Sequence, residues 1–279
     1  MVTSAESTLF PGLRRPYIFA HQGGELLAPT NTMAAFAVAD AIGGIDFLDV
    51  DVHMTRDGHL VGIHDATVDR TTNGQGRVDS FTLAELQQLD AGYHFQDLQG
   101  QYSYRGKGVY IPALEEVFQA YSSKYYLHFE VKDAYPRQGS SQIEAKLWAL
   151  IQKYQMEQRV IVSSFVQAVV ARFQALSGGR VVTGAGRPEV TSFVLTHKAR
   201  LPWLYRRRST VLSIPDAHSG VDLKDPALVR GARRKGMELY YWTIDEPDLM
   251  RQLIEMGADG LFTNRPDLLK DLLIELGLR

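Results

Sequence analysis

YIFAHQGGELLAPTNTMAAFAVADAIGGIDFLDVDV, residues 17 to 52, decides the fold. Tyr17 to Ala20 is an apolar run followed at once by His21 and Gly23-Gly24, the grammar of a buried parallel strand that ends in a tight loop. Asn31 or Thr32 can then cap a helix carrying Met33, Phe36, Ala37 and Val38. Gly43 and Gly44 stop that helix before FLDVDV begins a second strand. Strand, helix and strand in this order make a βαβ unit, with His21 and an acidic row at one end of it.

The acidic row belongs to FLDVDVHMTRDGHLVGIHD, residues 47 to 65. Strand side chains alternate between faces, so Asp49 and Asp51 point the same way, with His53 next in the row. Asp57-Gly58, flanked by alternating apolar residues, signals a hairpin. A turn centred there sends HLVGIHD back antiparallel and lands His64 roughly opposite Asp51. A hard divalent metal wants oxygen ligands, and an imidazole beside it can act as general acid or base. The competing reading is an exposed polar edge hairpin. A third segment, YYLHFEVKDAYPR (125–137), places Leu127, Phe129 and Val131 on one face and His128, Glu130 and Lys132 on the other. Burying Glu130 or Lys132 is costly without a partner, so Glu130 is a candidate third oxygen ligand and Lys132 a candidate anion contact. A plain Glu/Lys pair on a half-exposed strand would read the same way.

Working outward, eight runs read as buried strands: YIFAH, FLDVDV, YYLHFEV, RVIVSSF, RVVTGAG, TVLSIP, ELYYWTI and DGLFTN. Helical stretches fill most of the intervals, among them TLAELQQL, ALEEVFQAY, SQIEAKLWALIQKY, VQAVVARFQAL, DPALVRGARRK and PDLMRQLIEM. The alternation predicts a (β/α)8 TIM barrel spanning residues 1–279 as one domain, with an insertion after the second strand at about 65–110. In such barrels the active site lies at the C-terminal mouth, where His21, the Asp pair and Glu130 fall. The insertion carries Arg70-Thr71-Thr72-Asn73-Gly74 and the aromatic residues Tyr93, Phe95, Tyr102 and Tyr104. It reads as a substrate-contacting lid or as an ordinary surface insertion.

Composition narrows the function classes. At 45% hydrophobic and 22% charged, the chain can bury a large core. With no cysteine it has neither disulfides nor thiolate metal sites. A net charge of −2 argues against non-specific nucleic-acid binding. MVTSAESTLFPGLRRPY has no apolar core of a signal peptide and no later stretch approaches a membrane span, so a cytoplasmic protein is expected.

Nine short motifs, in order from about residue 17 to 270, resemble the glycerophosphodiester phosphodiesterases. They are His21-Gln22-Gly23, Pro29-Thr30-Asn31-Thr32, Asp49-Val50-Asp51-Val52, Thr55-Arg56-Asp57-Gly58 and His64-Asp65. Arg70-Thr71-Thr72-Asn73-Gly74-Gln75-Gly76, Glu130-Val131-Lys132, Trp242-Thr243 and Asp259-Gly260 with Thr263 and Pro266 complete the set. Three positions depart from the family pattern: Gln22 stands for Arg, Thr30 for Glu and Asp49 for Glu. The resemblance implies the same barrel and metal-assisted cleavage of a glycerophosphodiester into glycerol 3-phosphate and an alcohol. On this reading Asp49, Asp51 and Glu130 hold Mg²⁺ or Ca²⁺, and His21 and His64 divide general acid and base duties. Gln22 and Lys132 orient phosphate oxygens, and Trp242 stacks at the mouth. The nucleophile is water or, as the family suggests, the neighbouring glycerol hydroxyl through a cyclic phosphate.

One further segment bears on the substrate. Trp203, Leu204 and Tyr205 beside Arg206-Arg207-Arg208 read as a peripheral membrane anchor or as a solvated helix end. The anchor reading carries an alternative function, lysophospholipase D-type cleavage of lysophospholipids. The three departures carry another, a catalytically retired barrel that binds phosphodiesters.

Overall fold

Each of the eight apolar runs forms a strand, and the strands lie parallel in one nearly closed barrel. This computed structural model describes residues 5–135 and 140–279, so the tail of the 125–137 segment lies outside the described residues at 136–137. In chain order the strands are β1 (Tyr17–Ala20), β2 (Phe47–Met54), the antiparallel β3 (Leu60–Gly62), β4 (Tyr126–Val131), β5 (Val160–Ser163), β6 (Val182–Thr183), β7 (Val211–Ile214), β8 (Glu238–Tyr241) and β9 (Gly260–Thr263). Around the barrel they run β6-β5-β4-β2-β1-β9-β8-β7, with β3 paired to β2. A parallel bridge between Gly184 and Val211 closes the seam, with the Ala185 N–H donating to the Val211 carbonyl at 2.9 Å.

Helices α1 (Met33–Ile42), α2 (Leu83–Leu86), α3 (Leu114–Tyr121), α4 (Ile143–Lys153), α5 (Gln167–Ser177), α6 (Arg187–Lys198), α7 (Pro226–Arg234), α8 (Pro247–Glu255) and α9 (Pro266–Glu275) fill the intervals. Thr32, rather than Asn31, caps α1: its hydroxyl accepts the Ala35 N–H at 3.2 Å. Proline opens α7, α8 and α9 at the first turn, where its missing N–H has no intrahelical role. Two helices go beyond the stretches picked out by periodicity, α6 and α9. In α6 the β-branched Val190, Thr191, Val194 and Thr196 lower helix propensity and blur the pattern. No helix among the described residues is long and apolar enough to cross a membrane.

Strand alternation produces two distinct cores. Outward-facing Leu48, Val50, Val52, Leu127, Phe129 and Val131 pack against the helices. Inward-facing Tyr17, Phe19, Phe47, Tyr240 and Phe262 fill the lower barrel as an aromatic floor, with Phe19 stacked between Phe47 at 4.4 Å and Phe262 at 4.1 Å. Phe10, from the segment before β1, adds its ring edge-on to Phe47 at 5.1 Å. Above this floor the same inward rows become polar, and that change in the rows creates the site.

The insertion has an apolar cluster of its own, which includes Ile63, Val68, Val78, Leu86 and Ile111. Most of its aromatic rings pack among themselves, with the Arg105 guanidinium 4.4 Å from the Tyr93 ring and 3.6 Å from the Tyr102 ring. Arg70, Thr71, His94, Phe95 and Gln96 line a cleft that they share with Glu25, Thr30 and Asn264. The insertion is therefore a packed structure with one edge on the mouth.

Candidate active site

The first catalytic candidate stands on a strained turn. After Ala20 the chain folds into a single tight turn, His21–Gly23, in which Gln22 adopts φ 53°, ψ 26° and Gly23 adopts φ 87°. A left-handed conformation costs a non-glycine residue roughly 1–2 kcal/mol. A side chain at position 23 would place its Cβ 2.6 Å from Ala35 Cβ, so α1 packs here only against glycine. The turn aims the Gln22 N–H at Asp49 Oδ2, 3.2 Å away. Gln22 was expected to face a phosphate. Its side chain is instead buried: Oε1 accepts the Thr30 hydroxyl, and Nε2 lies 3.3 Å from His21 Nε2. Gln22 and Thr30 depart from the family pattern together, and they bond to each other.

These contacts fix the His21 tautomer. The Asn264 side-chain amide donates to Asp245 Oδ2 at 2.9 Å, and its backbone N–H donates to Asp245 Oδ1 at 2.7 Å. A carboxylate only accepts, so the Asn264 oxygen must face His21 Nδ1, 2.6 Å away. His21 therefore carries its hydrogen on Nδ1. Its Nε2 carries the lone pair and accepts from the Gln22 amide at 3.3 Å.

β2 and β4 run in register, pairing Asp49 with His128 and Asp51 with Glu130. Lys132 Nζ lies 2.8 Å from both Asp51 Oδ1 and Glu130 Oε1. The Asn31 amide donates to Asp51 Oδ2 at 2.8 Å, and its oxygen accepts the Asp51 N–H at 2.9 Å. Burial alone would raise the Asp51 pKa, but the charges of Lys132, His64 and His21 outweigh it and hold the carboxyl below its usual range. Burial pushes Glu130 up against the pull of Lys132. Lys132 is held charged, because Asp51 and Glu130 overcome its desolvation.

Asp49 has partners of its own. It was expected to complete a set of three carboxylates, yet its Oδ1 pairs with His128 Nδ1 at 2.6 Å and its Oδ2 takes the Gln22 N–H. The described residues hold no group of three histidine, cysteine or acidic side chains arranged for a metal. The short aspartate reaches its strand neighbour, and His128 reaches on to Ser163 Oγ at 2.8 Å. Buried Asp49 and His128 and half-buried Ser163 form a hydrogen-bonded chain above the aromatic floor, where the His128 ring meets Phe262 edge-on at 5.0 Å. Sequence reading placed His128 in the right row but gave it no role. Its position opposite Asp49 in the β2–β4 register was the available signal.

His64 arrives one residue out of the expected register. The hairpin pairs Val52 with Gly62, and the Ile63 N–H donates to the Asp51 carbonyl at 3.1 Å, so Ile63 faces Asp51. The Thr55–Gly58 turn, closed at 3.0 Å, puts an odd step into the count. His64 is carried to the mouth by other contacts. The His53 ring accepts the Tyr135 hydroxyl at Nδ1 (2.5 Å) and donates from Nε2 to the His64 carbonyl at 3.0 Å. His64 Nδ1 sits 2.7 Å from Asp65 Oδ1, and Arg70 grips that carboxylate through Nε at 2.7 Å. Against its burial, the Arg70 and His64 hydrogen bonds and charges hold Asp65 down at about 2. With Nδ1 committed to a carboxylate, His64 presents Nε2 to the pocket.

His21, Asp49, His64, Glu130, Lys132 and Trp242 line one pocket of about 190 Å³, joined by His128, Ser163 and Ser213. Asp51 stands behind Lys132, buried, and Gln22 behind His21. Of the proposed membrane segment, Trp203 is 68% exposed and Leu204 is exposed, whereas Tyr205 turns inward and its hydroxyl donates to Glu189 Oε1 at 2.9 Å.

A family model described as the glycerophosphoryl diester phosphodiesterase family matches residues 21–268. The chain belongs to that family. A glycerophosphodiester phosphodiesterase of Caldanaerobacter subterraneus subsp. tengcongensis is 35% identical over 260 residues, covering 91% of this chain and 96% of that one. A putative glycerophosphodiester phosphodiesterase of Bacillus subtilis is 34% identical over 260 residues, covering 91% and 97%. Among solved structures, an Oleispira antarctica phosphodiesterase in complex with its product sn-glycerol-3-phosphate superposes with a TM-score of 0.70 at 26% identity, covering 93% and 97%. An Agrobacterium tumefaciens glycerophosphodiester phosphodiesterase gives 0.73 at 25%, covering 91% and 99%. As a member of this family the chain is a phosphodiesterase, and its site is read as one.

Proposed function

We propose that the enzyme hydrolyses water-soluble glycerophosphodiesters to glycerol 3-phosphate and an alcohol, with His21 and His64 dividing the proton transfers. The observation that carries this reading is the pair of rings on one pocket, each with Nδ1 committed to a neighbouring oxygen, beside the charged Lys132. The names of the relatives and the product held by the Oleispira enzyme point to the same substrate class.

His21, fixed at Nδ1 by a neutral amide, takes the proton of the attacking hydroxyl at Nε2 as that hydroxyl displaces the Gln22 amide, which lies 3.3 Å away. His64, whose partner is the ionised Asp65, gives a proton to the departing alkoxide. Lys132 orients a phosphate oxygen, and Trp242 walls the pocket on the alcohol side. The attacking hydroxyl belongs to water or to the substrate's own glycerol.

The donor chemistry also fits a divalent cation. Lys132 alone does not balance Asp51 and Glu130, because its single charge lies 2.8 Å from an oxygen of each carboxylate. Asp51 and Glu130 would hold Mg²⁺ or Ca²⁺, since all-oxygen donors favour hard ions. Asp49 would join them only by leaving His128. Such an ion, when bound, supplies neutralisation of the charge that develops on the phosphate oxygens. A peripheral membrane contact would use Trp203 and Leu204.

The test is phosphorus NMR of glycerophosphocholine and glycerophosphoethanolamine with the pure enzyme in Mg²⁺, Ca²⁺ or EDTA. Glycerol 3-phosphate should appear with a divalent ion and not in EDTA. His21→Ala and His64→Ala should each lose at least about a hundredfold in kcat with an unchanged circular dichroism spectrum. Full turnover in both variants refutes the two-histidine scheme.

A further inference from the structure

Three serines line the catalytic pocket on the arc of the barrel that runs from Glu130 on β4 round to Trp242 beyond β8. Their hydroxyl groups are not equally free. Ser164 is spent within the fold: it donates to the Val131 carbonyl at 2.6 Å and accepts the Val166 N–H at 3.1 Å. Ser163 Oγ lies 2.8 Å from His128 Nε2. Asp49 Oδ1, a carboxylate oxygen that only accepts, takes the hydrogen on His128 Nδ1, so the neutral ring accepts at Nε2 and the Ser163 hydroxyl donates there. Ser163 therefore has lone pairs to offer the pocket and no hydrogen. The covered Ser213 Oγ has no hydrogen-bond partner among the described residues, which leaves it a group to satisfy. The chain leaving β6, the strand between theirs, brings Gly184 to the pocket. A Cβ there would lie 2.7 Å from Ser163 Cβ, so the wall beside Ser163 is kept bare.

Charge narrows what this wall can take. Phe165 and Trp242 complete it, their rings edge to face at 5.7 Å, and neither they nor the serines carry charge. The neighbouring carboxylate, Glu130, pairs with Ser163 in the β4–β5 register, and Lys132 already holds it at 2.8 Å. On the outer side the Arg187 guanidinium lies 5.5 Å from the Phe165 ring, in the groove that adjoins the pocket. A cationic head group would meet that guanidinium and a carboxylate already engaged. We propose that Ser163 and Ser213 form the head-group subsite and select a diester whose alcohol is a neutral polyol. One hydroxyl of the alcohol donates to Ser163, another satisfies Ser213, and the carbon skeleton lies against Trp242. This inference rests on the phosphodiesterase reading of the site and names a substrate class for it, of which glycerophosphoglycerol is the simplest member.

The test compares kcat/KM for glycerophosphoglycerol, glycerophosphoethanolamine and glycerophosphocholine in the presence of Mg²⁺ or Ca²⁺. A hydrogen bond is worth roughly fivefold, so two predict a preference for glycerophosphoglycerol over glycerophosphocholine on the order of thirtyfold. Ser163→Ala and Ser213→Ala should each cut that preference about fivefold, chiefly through KM, and the double variant should abolish it. A variant that is merely damaged lowers all three substrates together, so an intact preference in both single variants refutes the subsite. Equal rates on the three diesters, or a preference for the ammonium-bearing one, also refute it and leave the phosphodiesterase reading standing. Calorimetry of the intact diesters on His64→Ala gives a readout without turnover. Glycerophosphoglycerol should bind there more tightly than glycerophosphocholine, and adding Ser163→Ala should shrink the difference. If the wild type hydrolyses none of the three yet that difference is found, the subsite stands and the hydrolytic reading fails.

Discussion

Glu238→Gln should make the enzyme more stable at pH 8 and leave it nearly unchanged at pH 5. Glu238 lies buried in the barrel floor. It accepts Tyr17 Oη at 3.1 Å and Tyr240 Oη at 2.7 Å, and the Arg15 guanidinium is 3.9 Å away. Burial pushes its pKa from the ordinary 4.5 up to about 7, with the Asp259 charge adding to the shift and the Tyr240 hydrogen bond opposing it. For a group whose folded pKa is raised, its stabilising contribution is complete below the unfolded value and is lost as pH rises through the folded value. Each pH decade between the two costs about 1.4 kcal/mol, so the wild type gives up about 3 kcal/mol between pH 4.5 and 7. Glutamine mimics the protonated acid and avoids that loss. For a chain of this size the difference is on the order of 6 °C in Tm at pH 8. Thermal melts of both proteins from pH 5 to 8 provide the assay, and the difference between them cancels the groups they share. Parallel curves across that window would refute the assigned burial cost.

Two further substitutions probe the mouth. Asn264→Ala removes the acceptor that fixes the His21 tautomer and should lower kcat on the order of tenfold with KM little changed, the scale of one hydrogen bond; an unchanged kcat would show that the ring needs no such anchor. Gly23→Ala sets a Cβ against Ala35 at a positive φ and should cost roughly 2–3 kcal/mol in urea unfolding, and a loss below about 0.5 kcal/mol would contradict the close packing of this turn on α1.

The barrel was legible because alternation serves both of its cores: apolar outward residues and aromatic or polar inward ones make every strand stand out. His21, His64, Glu130 and Lys132 were legible as pocket residues because strand ends point into the mouth. Two outcomes needed the folded chain. The partner of Asp49 depends on the register of β2 against β4, and a shift of two residues would have brought His128 beside Asp51 instead. Gln22 looked like a phosphate contact by its position, but its left-handed backbone turns it onto Thr30, a conformation that the residue type does not announce.

The aromatic floor divides the site by depth in a way that ionic strength can sense. The Lys132, Asp51 and Glu130 cluster sits just above stacked rings and beneath the rim, where mobile ions screen little. The Arg70, Asp65 and His64 chain is half-exposed at the edge of the insertion, within reach of every counter-ion in solution. Salt therefore loosens the outer histidine while the inner charges keep their arrangement. A barrel that looks like one pocket thus holds two electrostatic climates, one set by the protein and the other by the medium around it.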